Sequence, residues 1–154
     1  MRSRASAHVP ALAFIVQYQV DDPALPRRAT LRRWMRAATE RDAQVTVRFV
    51  GAREGRRLNA RFRRRDYATN VLTFVYDDAV PLAGDVVLCV PVLKREARAQ
   101  GKTARAHCAH LIVHGMLHLQ GYDHNRTSDA KRMEARETAI LASLGYGDPY
   151  AAIR

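Results

Sequence analysis

At 154 residues the chain is long enough for one self-sufficient hydrophobic core and short for two, so a single domain over 1–154 is expected. A composition 47 % hydrophobic and 27 % charged excludes disordered and fibrous classes. The formal net charge of +11 bears on partners and not on fold, and it points to an anionic one.

In chain order, Arg2 and Arg4 precede the apolar run Val9 to Val16 in the manner of a short leader, but Pro10 interrupts the run and no small-residue cleavage site follows. Ala13 to Val20 is read instead as a first strand. Thr30 to Asp42 carries Leu31, Trp34, Met35 and Ala38 at i, i+3, i+4 and i+7, an amphipathic helix. Val45 to Val50 alternates as a second strand, with Gly51 and Gly55 marking a turn after it. Arg56 to Asp66 reads as a short helix around Leu58 and Phe62. Val71 to Tyr76 and Val86 to Val90 are β-branched runs flanking a turn-rich Asp77 to Asp85, a hairpin pair. Pro91 to Gln100, Thr103 to Gln120 and Ser128 to Leu144 complete the set as helices, the last stopped by Gly145. This order predicts an α/β fold of α+β character, a small mixed and mostly parallel sheet of about four strands covered by helices. No apolar run approaches eighteen residues, which argues against a membrane span. Cys89 and Cys108, without partners at zinc-knuckle spacing, read as buried free thiols in a reducing compartment, so the expected location is the cytoplasm.

The charge is concentrated. Residues 27 to 65 hold fourteen arginines and only Glu40, Asp42 and Glu54 as acids, so this stretch carries the whole net charge and the rest of the chain balances. Such a concentration favours polyanion binding by part of the set, with the remainder an ordinary solvated face.

Five of six histidines lie between residues 107 and 124. His107, His110, His114 and His118 form one helical stripe, yet residues seven apart are separated by about 10.5 Å along the axis, so only neighbours three or four apart can share an ion. His110 with His114 and His114 with His118 are the candidate pairs. Gly121 decides between them: a glycine there can adopt the left-handed conformation that ends a helix and turns His124 back toward the face just left. The spacing His114-x3-His118-x2-Gly121-x2-His124 is that of the metzincin metal site, placing the ion at a helix end. Three imidazoles leave a fourth tetrahedral position open, the arrangement of a catalytic and not a closed structural zinc, and hydrolysis is the natural reaction class. A metallopeptidase would carry a Glu base directly after the first histidine; Gly115 stands there. His107 and His110 are read as helix-face residues without a catalytic role, and Asp123 as a turn former.

The segment His114-Gly115-Met116-Leu117-His118-Leu119-Gln120-Gly121-Tyr122-Asp123-His124 closely resembles the signature of the YbeY family of bacterial endoribonucleases, formerly grouped as predicted metalloproteases. Leu58-Asn59, Phe62-Arg63, Asp66 and Ala68 to Phe74 resemble that family's LN..YR..D..TNVLSF block, with Phe62 for Tyr and Thr73 for Ser. Gly84-Asp85-Val86 resembles its GDI turn, and Met133, Glu134 and Glu137 its C-terminal helix. The resemblance implies a compact α/β sandwich and one zinc ion on His114, His118 and His124. It further implies single-strand-specific cleavage of RNA in 3′-end maturation of 16S rRNA and in late quality control of ribosomal particles. Arg63 matches the family's functional arginine. Beside the zinc, a guanidinium suits a phosphate gaining charge in its transition state, and Arg61, Arg64 and Arg65 flank it as candidate contacts to the RNA backbone. Two other readings of the same residues are a zinc metallopeptidase and a non-enzymatic, ribosome-associated RNA-binding protein with structural zinc.

Overall fold

The computed structural model describes residues 9–63, 70–76 and 80–151, without the side chains of Phe62 and Arg63. Nine elements follow in the order β1 (Leu12–Tyr18), α1 (Arg28–Ala38), β2 (Ala43–Val50), α2 (Ala52–Arg63), β3 (Val71–Val75), β4 (Leu82–Cys89), α3 (Val90–Ala99), α4 (Ala104–Leu119) and α5 (Thr127–Ser143). The four strands make one sheet in the order β1-β2-β4-β3. β1, β2 and β4 run parallel, and β3 pairs antiparallel with β4, so the sheet is mixed and mostly parallel.

Alternation decides what each face buries. Register aligns Val16 with Val47 and Val47 with Val86, and these residues, with Val45, Phe49 and Leu88, look toward α1, α4 and α5 in the main core. Leu72, Val87 and Cys89 look the other way and join Val50 and Val92 in a smaller cluster that receives Leu58 of α2. β4, buried on both faces, reads accordingly as the apolar run Val86-Val87-Leu88-Cys89. α1 contributes Leu31, Trp34, Met35 and Ala38, the stripe its periodicity predicts. Both cysteines are buried and free.

The arginine-rich stretch therefore divides across the sheet. Arg28, Arg32, Arg33 and Arg36 ride on α1 over the main core, whereas Arg53, Arg56, Arg57, Arg61 and Arg63 ride on α2 over the opposite face. Several of these cations are held locally: Arg28 stacks on the Phe14 ring at 4.1 Å and donates to its carbonyl, and Arg48 pairs with Glu54 at 2.6 Å.

Three boundaries depart from expectation. α2 begins at Ala52, four residues before the expected start, with Gly55 buried inside it. The cost of about 1 kcal/mol for a helical glycine is overridden by packing of the Leu58 face. β4 begins at Leu82, so Gly84 and Asp85 are strand residues and not a turn. A Cβ at Gly84 would meet the Phe74 carbonyl oxygen at 2.5 Å and Leu119 Cδ2 at 2.9 Å, so the glycine is there for close approach. α1 ends at Ala38, and Thr39 and Glu40 form a connection tied to the end of α4: the Gln120 amide donates to the Ala38 carbonyl at 2.7 Å and accepts from the Glu40 N–H at 2.7 Å.

Candidate metal centre

α4 runs through the middle of the molecule and is apolar almost all round; ten of its sixteen residues are buried. His110, His114 and His118 form the half-buried stripe that remains, facing β3 and α5. Thr103 caps the helix start by accepting from the Ala106 N–H at 3.0 Å. Gly115 sets the depth of the helix against the sheet, because a Cβ there would stand 2.9 Å from Val86 Cγ1. The position that holds the glutamate base in a metallopeptidase is thus one where any side chain would have to displace Val86.

The helix ends in the left-handed turn that Gly121 makes possible, with φ at +104°. The Gly121 N–H donates to the His118 carbonyl and the Tyr122 N–H to the Leu117 carbonyl, both at 3.1 Å, the paired bonds of a Schellman cap. Asp123 then accepts from the backbone N–H groups of His124 and Asn125 at 2.6 and 3.1 Å and shapes the turn, as its sequence context suggested. Tyr122 donates to the Glu40 carboxylate, which also holds Arg136 at 2.8 Å, so the turn is fastened to α1's exit and to α5.

This backbone brings three imidazoles together. Ring centroids lie 6.4 Å apart for His114 and His118, 5.6 Å for His114 and His124, and 6.0 Å for His118 and His124. Three imidazoles on one tetrahedral ion, with metal–nitrogen distances of about 2.0–2.1 Å, would hold their centroids about 5 Å apart. The triangle is slightly wider than a coordinated set, and no three His, Cys, Asp or Glu among the described residues stand drawn in as a closed metal site. The pairwise separations exceed the coordinated value by about 0.6 to 1.4 Å.

Two of the rings are oriented by what their other nitrogen does. His114 Nδ1 lies 2.5 Å from Glu137 Oε2, and His118 Nδ1 lies 3.1 Å from the Tyr122 carbonyl oxygen. Both partners only accept, so each Nδ1 carries the proton and each Nε2 keeps its lone pair for a ligand. Burial first, then the neighbouring His114 and His124, push the His118 pKa below the usual imidazole value, which favours the neutral form a metal requires. His124 is exposed at the mouth. The donor set, three imidazoles around an open cleft, fits zinc.

The cleft of about 360 Å³ over these rings is lined also by Asn70, Val71, Thr73, Asp123 and Asn125. Asn70 is anchored by its amide on Glu96 at 3.0 Å and by its carbonyl on the Cys89 N–H at 3.0 Å. Arg63 is the last residue of α2, and Asn70 lines the cleft. The Arg63 side chain, and Arg64 and Arg65 entirely, lie outside the described residues; Arg61 is exposed on α2.

Glu137 escaped the motif-based reading as a functional residue. It is fully buried, and its carboxylate accepts from His114 through one oxygen and from the Tyr150 hydroxyl through the other, with His110 Nε2 3.3 Å away. Burial raises its pKa, but the His110, His114 and Tyr150 contacts outweigh that and bring it down to about 2. A signal was present in the sequence: Met133, Glu137, Ile140 and Leu141 form α5's buried stripe, and a carboxylate on an apolar stripe asks for partners.

A family model described as Endoribonuclease YbeY matches residues 21–145. The Endoribonuclease YbeY of Aromatoleum aromaticum is 63 % identical over 126 residues, covering 82 % of each chain, and that of Nitrosomonas europaea is 54 % identical over 143 residues, covering 93 % of this chain and 87 % of the relative. In fold, the chain is similar to the solution structure of TM1509 from Thermotoga maritima, with a TM-score of 0.54 at 22 % identity over 91 % of this chain and 96 % of that one.

Proposed function

The chain belongs to the endoribonuclease YbeY family, and from that premise we propose that it is a single-strand-specific, zinc-dependent endoribonuclease acting on the 3′ end of 16S rRNA in ribosomal particles of the cytoplasm. The observation that carries the metal half of this reading is the convergence of His114, His118 and His124 in one cleft, with Nδ1 of the first two engaged and Nε2 left for a ligand. When bound there, zinc supplies a Lewis acid for a phosphate whose charge rises in the transition state.

The chain's own residues do the rest. Between β3 and the α4–α5 turn, Asn70, Thr73 and Asn125 line the cleft as polar residues suited to a sugar–phosphate backbone. Arg63, the residue that closes α2, supplies the guanidinium that holds the scissile phosphate by paired hydrogen bonds. Arg61, Arg64 and Arg65 hold flanking phosphates without regard to sequence, so binding weakens as salt rises. No helix among the described residues is long and apolar enough to cross a membrane.

The test is cleavage of single-stranded and duplex RNA, with and without chelator, by wild type, His118→Ala and Arg63→Ala. Cleavage of the single strand alone, lost on chelation and in both folded variants, is expected. Cleavage that survives chelation and both substitutions would contradict the proposal.

A further inference from the structure

We propose that Tyr150, acting through the buried carboxylate of Glu137, is a positioning residue that fixes the metal-binding orientation of His114. The proposal rests on the zinc reading given above and extends it to a part of the chain that lies beyond the residues matched by the family model, 21–145.

The geometry is a two-sided carboxylate. Glu137 projects from α5 with no solvent exposure, a position whose desolvation is tolerated only when the oxygens are satisfied. Its Oε2 takes the His114 Nδ1–H at 2.5 Å. Its Oε1 takes the Tyr150 hydroxyl, and His110 Nε2 stands 3.3 Å from that oxygen and 3.2 Å from the Tyr150 hydroxyl, the two rings meeting edge to face at 5.3 Å. With Oε1 pinned from two directions, the carboxylate cannot rotate away from His114, and the imidazole is held with Nε2 toward the cleft.

Tyr150 is itself fastened. Its backbone N–H donates to Asp148 Oδ1 at 2.8 Å, and Lys102 Nζ donates to the Pro149 carbonyl at 2.8 Å, so the segment after α5 folds back onto the start of α4. The same segment walls a cavity of about 210 Å³ between Lys102, His110 and His114, adjoining the metal cleft through Asn70 and Val71. The end of the chain is thereby joined to the centre of the site by a continuous run Tyr150, Glu137, His114.

A built-in control exists on the same helix. His107 pairs with Glu96 at 2.9 Å, an imidazole–carboxylate contact through another carboxylate that touches none of the three proposed ligands. The experiment titrates zinc into the stripped full-length protein against a chromophoric chelator, for wild type, Tyr150→Phe, Glu137→Gln, Glu96→Gln and His118→Ala, with circular dichroism confirming the fold and cobalt substitution reporting the ligand field. Removing an outer partner of a ligating histidine weakens metal binding by about 10- to 100-fold. Expected are a loss in that range for Glu137→Gln, a loss of about 3- to 10-fold for Tyr150→Phe with an altered cobalt spectrum, and affinity within about twofold of wild type for Glu96→Gln. If Glu137→Gln fails to fold, Tyr150→Phe decides. Zinc bound by wild type, abolished by His118→Ala and unchanged in folded Tyr150→Phe would overturn this inference, whatever Glu137→Gln does, and leave the metal site standing. A wild-type protein that binds no zinc would overturn both.

Discussion

Of the imidazole–carboxylate contacts along helix α4, the first and the last lie two turns apart and are built differently. Near its start His107, almost fully buried, meets Glu96, a carboxylate about one-third exposed that also holds Asn70. Farther along, His114, about one-quarter exposed, meets Glu137, which has no exposure. In the first pair the imidazole is interior and the charge reaches water; in the second the charge is interior and the imidazole reaches the cleft. A pair that only ties elements together has no need to bury its carboxylate, because desolvation costs several kcal/mol per ion. The Glu137 arrangement presents an imidazole outward with fixed orientation, and the contrast separates a packing contact from a supporting one.

The largest effect that would sharpen this contrast is at a ligand. His118→Ala is expected to abolish both zinc binding and RNA cleavage, while His107→Gln keeps the bound metal; metal analysis of the two purified variants checks this. Next is stability without metal. Glu137→Ala leaves His110, His114 and Tyr150 facing a vacated site and should cost about 3–5 kcal/mol, against about 1–3 kcal/mol for the more exposed Glu96→Ala, which releases His107 and Asn70. Urea denaturation midpoints of the stripped proteins would break the comparison if the order were reversed.

The third concerns acid. The hydrogen bond to His107, opposed by partial burial and aided by Asn70, holds the Glu96 carboxyl below the usual carboxylate range. A depressed native pKa stabilises the fold above the ordinary carboxylate value, and that contribution fades as pH falls through the native one. Wild type should therefore lose more stability than Glu96→Gln between about pH 5 and pH 3, in the ordinary carboxylate titration range. Equal losses would deny the pair its role.

Smaller still, Gly115→Ala should destabilise by about 1–3 kcal/mol by pressing Cβ on Val86, with partial rescue by Val86→Ala. Smallest is any one arginine. Neutralising Arg61, Arg64 or Arg65 should shift the slope of log affinity against log salt by about 0.7 for each lost contact to single-stranded RNA, measured by fluorescence anisotropy.

Much of this was legible in the sequence where local pattern and tertiary demand coincide. The stripe Leu31, Trp34, Met35, Ala38 is the buried face of α1, and the alternation of Val45, Val47 and Phe49 is the core face of β2. Gly121 could be read because ending a helix is a local event. What escaped the reading depends on distant neighbours. Gly84 looks like a turn glycine until Phe74 and Leu119 are seen against it, and Gly55 looks like a breaker until α2 is packed on the sheet. The charge run at 27–65 looked like one patch, but a core strand runs through its middle and sends α1 and α2 to opposite faces. The roles of Glu137 and Tyr150 depend on three chain segments meeting in space, which no single-segment pattern encodes.

The most direct test of the central claim is RNA cleavage followed while zinc is titrated into stripped protein. Activity should rise to a plateau at one equivalent of zinc in wild type and stay at background in folded His114→Ala. Full cleavage by the stripped protein in the presence of chelator would contradict the account.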